Sequence, residues 1–458
     1  MAIAIINPTT GVTERTFEPH TAEEVERRLA RAQSAVGALR ATTFAERAAW
    51  MLAAADLVEQ DADQLAAMMT REMGKTLASA RAEALKCAKG MRYYAENAEA
   101  LLADEPLSDP STVGAKRAYA RYQPLGIILA VMPWNYPLWQ VMRFAAPALM
   151  AGNVGVLKHA SNVPESALYL DTLFERGGFP AGAFSTLLIG SGEVRALIDD
   201  PRVKAVTLTG SEPAGRSVAA AAAAQVKKSV LELGGSDPFI VLPSADLERA
   251  VATAVTARTQ NNGQSCIAGK RFIVHADIYD DFAAAFAGAM GALRMGDPML
   301  ESTQLGPVAT ESGREELAEL VDDARAKGAE VLTGGEIPDG PGWFYPATVI
   351  AGVTPEMRLH REEAFGPVAT LYRVADLDEA IDLANTTSFG LSSAAWTTDS
   401  EEQERLIAGI EAGAVFLNGM TISYPELPFG GIKNSGFGRE LGAPGIREFC
   451  NLKTVWAG

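Results

Sequence analysis

Apolar residues recur at helical spacing through the start of the chain. Residues 21–103 are rich in Ala, Leu, Glu and Arg, and the segments 48–58 and 62–73 show the period of an amphipathic helix. The pattern then breaks at a Pro- and Ser-containing segment, and residues 118–122 alternate small or polar with aromatic residues. We therefore predict a helical front end followed by a strand or hairpin arm, whose partner could be another subunit.

Residues 125–233 alternate short apolar runs with helical stretches, which predicts a series of βαβ units. The predicted strands are residues 127–132, 154–157, 185–189, 205–208 and 230–233. A parallel sheet of this kind binds ligands at the carboxyl ends of its strands. The runs are followed by polar or small residues that begin at Pro133, Lys158, Gly190, Thr209 and Gly234. We expect these five ends to line one cleft.

A second α/β unit is predicted after the first. It comprises a strand at residues 239–242, a helix from Asp246, and further strands near Lys270, Val331, Tyr345, Val368, Ser393 and Val415. The Gly-rich segment 429–440 is suited to wrap a surface, and residues 453–456 could supply a terminal strand. At 458 residues the chain exceeds the usual size of a single hydrophobic core, so two domains are expected.

Composition and charge narrow the classes of partner. The formal net charge of −17 argues against nucleic acid or an anionic membrane, because both require a basic surface. The start of the chain has no basic segment and no apolar run reaches about 18 residues, so we expect a soluble, cytoplasmic protein. Cysteine and histidine spacing predicts neither a disulfide framework nor a metal site. Cys87 and Cys450 lack a Gly/Asn turn before them and are interpreted as core residues.

Cys266 is the candidate nucleophile. It follows Asn261, Asn262 and Gly263, residue types that tolerate left-handed backbone, so a sharp bend is predicted just before the thiol. The alternative is a small buried core cysteine. Polar neighbours such as Asn262 and Gln264 are unsuited to a purely apolar pocket, and a nucleophilic thiolate needs nearby donors. We therefore favour the nucleophile.

Three further positions carry candidate chemistry. Residues 209–215 open a helix after a strand, and the free N–H groups of such a terminus suit a phosphate, although an ordinary glycine turn is the alternative. Glu232 ends an otherwise apolar strand, and Asn135 offers an amide within P-W-N-Y-P. A thiol, a carboxylate, an amide and a phosphate-like site together suit acyl chemistry with a nucleotide.

Six motifs along nearly the whole chain resemble those of the aldehyde dehydrogenase superfamily. They are P-W-N-Y-P at 133–137, L-T-G-S at 208–211, L-E-L-G-G at 231–235, G-Q-S-C at 263–266, E-E-A-F-G-P at 362–367 and P-F-G-G-x-K-x-S-G at 428–436. The resemblance implies an α/β fold with two doubly wound α/β domains and a small β oligomerisation arm, in a homodimer or homotetramer. Residues 1–105 and 124–234 would form the cofactor-binding domain, residues 235–431 the catalytic domain, and residues 106–123 and 432–458 the oligomerisation arm and tail.

The resemblance implies oxidation of an aldehyde with NAD or NADP. Cys266 would attack the aldehyde carbonyl to give a thiohemiacetal, which passes hydride to nicotinamide and leaves a thioester that water hydrolyses. Glu232 matches the family's general base, with a capping or ion-paired carboxylate as the alternative. The amide of Asn135 and the backbone N–H of Cys266 would form the oxyanion hole, with a turn-stabilising Asn as the alternative.

The family's cofactor-binding residues match Trp134, Lys158, Ser161, Gly210, Ser211, Gly215, Leu233, Glu363 and Phe365. Glu363 matches the ribose ligand, and Phe365 would pack against the nicotinamide side. In the family a Glu commonly stands at the position of Ser161 and receives the ribose hydroxyls, whereas serine leaves room for a 2′-phosphate, which the charge of Lys158 favours. We therefore predict a preference for NADP over NAD. The alternative is that Ser161 only caps the helix starting near Pro164.

Within this family the chain resembles succinate-semialdehyde dehydrogenases, through residues 132–143, 158–164 and 418–420. Arg143 matches the position that meets the substrate carboxylate, although an intramolecular salt bridge is the alternative. Ser423 matches a second carboxylate ligand. Ile422 and Tyr424 depart from the more polar loop of such enzymes, so another medium-chain or aromatic aldehyde is an alternative substrate. A cofactor-free thiol hydrolase is a further alternative, but it would leave the five nucleotide-compatible strand ends unexplained.

Overall fold

The computed structural model describes residues 2–458. Its α-helices are α1 (Ala22–Arg40), α2 (Phe44–Gln60), α3 (Ala62–Met73), α4 (Leu77–Leu101), α5 (Trp139–Ala151), α6 (Pro164–Arg176), α7 (Val194–Asp199), α8 (Glu212–Ala224), α9 (Leu247–Thr259), α10 (Tyr279–Gly291), α11 (Glu311–Ala326), α12 (Arg358–Arg361), α13 (Leu377–Asn385), α14 (Ser400–Gly409) and α15 (Gly442–Glu448). Four of them fill the start of the chain, which confirms the predicted helical front end. Local sequence fixes where they begin: Thr43 and Glu46 form a reciprocal capping box at the start of α2.

The strands are distributed over both halves of the chain. They are β1 (Ile3–Asn7), β2 (Val12–Phe17), β3 (Glu105–Pro106), β4 (Arg117–Pro124), β5 (Ile127–Val131), β6 (Val154–Lys158), β7 (Phe184–Thr186), β8 (Val203–Thr209), β9 (Lys228–Glu232), β10 (Asp237–Val241), β11 (Gly269–His275), β12 (Glu330–Thr333), β13 (Thr348–Ala351), β14 (Val368–Val374), β15 (Phe389–Gly390), β16 (Ser393–Trp396), β17 (Val415–Leu417), β18 (Ile432–Lys433), β19 (Gly436–Phe437) and β20 (Cys450–Ala457).

The first large sheet contains five parallel strands in the order β7-β6-β5-β8-β9. The short strand β19 joins it antiparallel to β9, so the Gly-rich tail closes the edge beside Glu232. This confirms the predicted parallel sheet, and the carboxyl ends of its strands lie at one edge. The third strand is shorter than predicted: β7 ends at Thr186 because the chain turns there, with the Ile189 N–H bonded to the Leu187 carbonyl.

The second sheet has seven strands in the order β12-β13-β14-β11-β10-β16-β17, all parallel except the edge strand β12. Phe239 and Val241 pack into one apolar cluster, and Ile240 packs into another. Because successive side chains point to opposite faces, both faces of this sheet are covered. The expected strand near Tyr345 begins only at Thr348, since Pro346 lacks the N–H that a ladder requires.

The arm is a three-stranded sheet in the order β20-β4-β3. β4 pairs antiparallel with β20 of the same chain along all eight residues, so one edge of this strand is occupied within the chain. β3 covers only two residues of the other edge, and contact of the arm with another subunit stays a prediction. The predicted terminal strand at residues 453–456 is confirmed as part of β20. Among the described residues, no helix combines the length and apolar character needed to cross a membrane.

Helix α5 links the fold to the candidate site. Every one of its 13 residues is buried, as expected for a helix that is apolar on all sides. The Glu83 carboxylate of α4 accepts hydrogen bonds from the backbone N–H groups of Leu138 (2.8 Å) and Trp139 (2.9 Å), and it also pairs with buried Lys75. These bonds satisfy the start of the helix and fix the positions from which Trp139 and Arg143 project.

Candidate active site

The turn before Cys266 has the predicted left-handed backbone. Asn261, Asn262 and Gly263 have φ values of 55°, 56° and 76°, which confirms the sharp bend. The side-chain amide of Asn262 donates to the carbonyls of Gly74 (2.8 Å) and Pro307 (2.9 Å). The turn is thus anchored to two other parts of the chain, and this rigid support holds the thiol at a defined place.

Cys266 is partly exposed, and its thiol is not activated in this arrangement. Burial among protein groups raises the pKa of Cys266 to about 12, while the positive charges of Arg143 and Lys270 oppose that rise. A thiol with this pKa is almost entirely protonated at neutral pH, so nucleophilic attack requires a proton acceptor.

Asn135 lies directly against the loop that carries Cys266. Its side-chain N–H donates to the Gln264 carbonyl (3.1 Å), and Asn261 donates to the backbone carbonyls of both Asn135 (2.7 Å) and Gln264 (3.0 Å). Within residues 2–458, the backbone N–H of Cys266 has no hydrogen-bond acceptor. Asn135 therefore has one further amide hydrogen, and Cys266 has a free N–H, at the same loop.

Glu232 is fully enclosed, with 1% of its surface exposed. Neither carboxylate oxygen has a hydrogen-bond partner in the described part of the chain, and a Cβ at Gly430 would lie only 2.6 Å from Oε1. Burial, followed by the nearby charge of Glu440, raises the pKa of Glu232 well above its ordinary value. The side chain neither caps a helix nor forms an ion pair there, and no direct hydrogen bond joins it to Cys266.

Arg143 is also buried, and its partner is a protein carboxylate. It is 2% exposed, forms an ion pair with Glu440, and lies 4.5 Å from the centroid of the Phe429 ring. The alternative of an intramolecular salt bridge is the one found here. The match of Arg143 to the substrate-carboxylate position stays a prediction, and in this arrangement Glu440 compensates the Arg143 charge.

Lys86, which the sequence did not single out, lies beside the other predicted carboxylate ligand. Its Nζ donates to the Ser423 hydroxyl at 2.8 Å, and the Trp139 indole N–H donates to the same oxygen at 2.9 Å. Lys86 borders the buried stripe of α4 between Glu83 and Cys87. The sequence shows Lys86 only as a cation beside the apolar stripe of a helix. Lysines at such borders usually extend their ammonium group into solvent, so the position did not indicate a buried contact.

Glu363, the predicted ribose ligand, pairs with Lys270 at 2.8 Å. Lys270 also donates to the carbonyls of Ser265 (2.9 Å) and Cys266 (2.6 Å), which links the E-E-A-F-G-P segment to the cysteine loop. Gly234 faces the same carboxylate, and a side chain there would collide with Glu363. The structure therefore brings Glu363 to the cysteine loop, held by a lysine that the sequence reasoning missed.

The other predicted cofactor residues lie at the ends of the first sheet. Trp134 and Phe365 make an edge-to-face contact with centroids 5.7 Å apart, and both line a cavity of about 130 Å³. Ser211 precedes the first residue of α8, and Gly210 donates to the Glu232 carbonyl. A side chain at Gly215 would come within 2.6 Å of Leu233, so glycine lets the helix start approach that strand end closely.

Within residues 2–458, the side chains of Ser161 and Lys158 form no hydrogen bond or ion pair with other protein groups. The alternative that Ser161 caps α6 is wrong, because the N-cap is Val163 and the Glu72 carboxylate accepts from Glu165 N (2.6 Å) and Ser166 N. Burial lowers the pKa of Lys158. A hydroxyl and an ammonium with unused donors at a strand end fit an anionic group such as a ribose 2′-phosphate.

The start of α8 packs closely against the end of a parallel sheet, near a cysteine loop with an amide and a buried carboxylate, as in the aldehyde dehydrogenases that the sequence resembles. The chain belongs to the aldehyde dehydrogenase family, whose profile matches residues 1–455. It is 66% identical over 456 residues to "Succinate-semialdehyde dehydrogenase [NADP(+)] 1" of Mycobacterium tuberculosis, with 100% of each chain covered. It is 65% identical to "Succinate-semialdehyde dehydrogenase [NADP(+)]" of Mycobacterium avium, covering 100% of this chain and 97% of that one.

Solved structures show the same fold. The succinic semialdehyde dehydrogenase of Streptococcus pyogenes, determined in complex with NADP+, superposes with a TM-score of 0.96 at 38% identity over 99% of both chains. The predicted α/β class and the resemblance to this family are thereby confirmed.

Proposed function

We propose that this protein oxidises succinate semialdehyde to succinate with NADP as the electron acceptor. The observation that carries the proposal is the full-length 66% identity to a relative named for that substrate and cofactor. The site is consistent with it: the chain has a thiol, an oxyanion-binding loop, a buried carboxylate, and cations near the positions expected to meet the substrate and the 2′-phosphate. NADP+, when bound, accepts the hydride that leaves the substrate carbon.

In the proposed mechanism Cys266 is the nucleophile. Its Sγ forms a bond to the aldehyde carbon as the thiol passes its proton to a solvent water, which the partly exposed side chain can meet. The resulting oxyanion accepts hydrogen bonds from Asn135 Nδ2 and the Cys266 backbone N–H. Loss of hydride from that carbon leaves a thioester. Two donors aimed at the oxyanion are worth a few kcal/mol each, since removal of one typically costs about 2.7–4 kcal/mol.

Glu232 is the proposed general base for thioester hydrolysis. It takes a proton from water as the water oxygen bonds to the thioester carbon and the cysteine sulfur leaves. A pKa raised by burial brings the carboxylate closer to the pH at which it can exchange a proton efficiently. Its orphaned oxygens, next to Gly430, leave it free to accept that proton from a water rather than from a protein donor.

The proposed cofactor ligands divide by the group they would hold. Ser161 and Lys158 would bind the adenosine ribose phosphate, and the start of α8 with Gly210, Ser211 and Gly215 would bind the diphosphate. Trp134, Leu233, Glu363 and Phe365 would surround the nicotinamide half. By the domain boundaries predicted from the sequence, Glu363 and Phe365 would belong to the catalytic domain. The other proposed cofactor ligands would belong to the cofactor-binding domain.

We further propose a cytoplasmic homodimer or homotetramer assembled through the arm. Leu452 and Trp456 of β20 are each 56% exposed, which is unusual for large apolar side chains on an edge strand. Light scattering on the purified protein tests this: a monomer at micromolar concentration would contradict it. Arg replacement of both residues should lower the molecular mass if the arm forms the interface.

A panel of aldehydes with both cofactors tests the proposed activity. Initial rates of the absorbance increase at 340 nm give kcat/KM for each pair of aldehyde and cofactor. The highest kcat/KM is expected with succinate semialdehyde and NADP. The second candidate is an uncharged medium-chain or aromatic aldehyde, because Ser423 lines a cavity of about 410 Å³ together with Phe416, Leu417 and Ile422. A higher kcat/KM for hexanal or benzaldehyde than for succinate semialdehyde would favour that candidate and reject the first.

A further inference from the structure

Two backbone N–H groups at the start of α5 depend on a carboxylate from another helix. Leu138 is the residue just before this helix, and its side chain has no acceptor with which to cap the helix start. Within residues 2–458, the N–H groups of Leu138 and Trp139 have one acceptor, Glu83 Oε1 of α4, at 2.8 and 2.9 Å. Glu83 therefore holds a helix start that the local sequence leaves uncapped.

Lys75 keeps Glu83 charged inside the protein. The two side chains are 0% and 1% exposed and form an ion pair. Burial lowers the pKa of Lys75, and Glu83 opposes that fall. Without Lys75, a carboxylate at that depth would be driven to take up a proton, and the negative charge that favours the helix start would be lost. Lys75 Nζ also lies 4.3 Å from the centroid of the Tyr136 ring, so the pair contacts the chain on both sides of Pro137.

The loop that this pair holds carries Asn135. Pro137 has a fixed φ angle, so a movement of the α5 start is passed along the loop to Asn135. The carbonyl groups of the loop are held separately, by Asn261 at the Asn135 oxygen (2.7 Å) and by His159 at the Pro137 oxygen (2.8 Å). Glu83 is the anchor on the N–H side, where the loop becomes a helix.

The short connection between α3 and α4 contacts both halves of the proposed oxyanion hole. The Gly74 carbonyl accepts from Asn262 Nδ2 at 2.8 Å, which holds the turn that leads to Cys266. The next residue, Lys75, holds the loop that carries Asn135. Two adjacent residues of one segment are thus attached to the two loops that supply the proposed oxyanion donors.

We propose that Lys75 and Glu83 are positioning residues that fix the distance between the two oxyanion donors, Asn135 Nδ2 and the Cys266 N–H. This inference rests on the proposed oxidation of an aldehyde through Cys266. The pair is too deeply buried to touch the substrate, so it acts through the loop of Asn135. A misplacement of about 1 Å can cost about 100-fold in rate. Loosening the start of α5 should therefore slow the step that forms the oxyanion and leave NADP binding unchanged.

Two double variants isolate the hydrogen bonds to the α5 start. Lys75→Met/Glu83→Met replaces the ion pair with apolar side chains, a change that folds often tolerate, but it leaves the N–H groups of Leu138 and Trp139 without an acceptor. Lys75→Met/Glu83→Gln is also neutral and restores an acceptor oxygen. We expect the single-turnover rate of NADPH formation, measured by stopped flow, to fall by about 10- to 100-fold in the first variant and to stay within about threefold of wild type in the second. Equal rates in the two variants would overturn the proposal.

The matched control removes an exposed ion pair between the same two helices. Arg81 of α4 and Asp63 of α3 lie 2.7 Å apart, and their side chains are 46% and 80% exposed. Arg81→Met/Asp63→Met should change the single-turnover rate by less than about twofold. A fall as large as that of Lys75→Met/Glu83→Met would overturn the proposal, because any loosening of α3 against α4 would then have the same effect.

Asn135→Ala distinguishes positioning from a general loss of structure. Loss of one oxyanion donor typically costs about 10²- to 10³-fold. If the pair acts through Asn135, adding Lys75→Met/Glu83→Met to Asn135→Ala should slow the reaction by less than about twofold more. Equal falls in the two backgrounds would overturn the proposal. Alkylation of Cys266 by iodoacetamide forms no oxyanion and should keep its wild-type rate in Lys75→Met/Glu83→Met, whereas a fall as large as that of NADPH formation would also overturn it.

The carbonyl oxygen is common to every aldehyde, so the rates are measured with both succinate semialdehyde and hexanal. If wild type prefers hexanal, the proposed substrate fails and the positioning role is still tested with hexanal. If Lys75→Met/Glu83→Met forms NADPH at the wild-type rate with both aldehydes, the positioning role is overturned and the proposed function stands. If that variant is unstable, Glu83→Asp keeps both charges and withdraws the carboxylate from α5 by about 1.5 Å. A wild-type rate in Glu83→Asp would overturn the proposal equally.

Discussion

Arg143→Met is expected to destabilise the protein. Methionine retains much of the side-chain volume and removes the guanidinium. The variant leaves Glu440, which is 4% exposed, without its cation and close to the second buried carboxylate, Glu232. Removing one partner of a buried pair typically costs about 3–5 kcal/mol, and loss of the contact with Phe429 is included in that cost.

The size of the loss depends on pH in a defined direction. Burial raises the pKa of Glu440, and Arg143 opposes that rise. Without Arg143 the folded-state pKa lies further above the unfolded value of about 4.3. A raised pKa contributes stability that is present at low pH and lost as pH increases, so the gap between wild type and variant should be widest near pH 8 and narrow towards pH 5.

Urea unfolding, followed by tryptophan fluorescence, measures these effects for wild type, Arg143→Met, Glu440→Gln and the double variant. The double variant should be more stable than the sum of the single losses predicts, by at least about 1 kcal/mol. The control Arg195→Met breaks an exposed pair with Asp199 and should cost under about 1 kcal/mol. Equal losses for Arg143→Met and Arg195→Met would show that the buried pair of Arg143 with Glu440 stabilises the fold no more than an exposed pair. A selective rise in KM for succinate semialdehyde, with unchanged unfolding, would instead support the direct substrate role that the sequence predicts for Arg143.

Three further predictions concern the reaction. Cys266→Ala should abolish aldehyde oxidation while NADP still binds, as measured by calorimetry. Residual turnover above about 0.1% of wild type would contradict the assignment of Cys266 as the nucleophile, because covalent catalysis typically accelerates the reaction far more than a thousandfold. Glu232→Gln should slow thioester hydrolysis by about 10²–10⁴-fold and remove the rise in rate as pH increases through the raised pKa of Glu232, measured by stopped flow from pH 6 to 9. Ser161→Glu should lower the ratio of kcat/KM with NADP to kcat/KM with NAD by at least about tenfold. Two unit charges repel by about 1 kcal/mol at 4 Å even in water, and the 2′-phosphate carries nearly two negative charges. An unchanged ratio would mean that Ser161 does not lie in the ribose site.

Local features of the fold were predictable because short segments determine them. The Asn261–Asn262–Gly263 bend follows from residue types that tolerate positive φ, and the parallel strands follow from short apolar runs that end in polar residues. The strand predicted near Tyr345 begins three residues later, at Thr348. Its start depends on where Pro346 falls relative to the hydrogen bonds with β14, which the local sequence does not show.

Contacts between distant segments were not predictable from one sequence. Glu440 reaches Arg143 from the tail, and Glu72 reaches the start of α6 from α3, so neither the buried ion pair nor the cap was visible in local patterns. Lys86 was missed for the same reason, because its hydroxyl partner, Ser423, lies near the other end of the chain.

Mass spectrometry of the Glu232→Gln variant measures directly whether Cys266 carries the oxidised substrate as a thioester. The variant is mixed with succinate semialdehyde and NADP, quenched in acid within one turnover, and digested. We expect one succinyl group on the peptide that contains Cys266, in an amount equal to the NADPH formed, and none when NADP is left out. NADPH production with no adduct on Cys266, or with an adduct on Cys87 or Cys450, would contradict it.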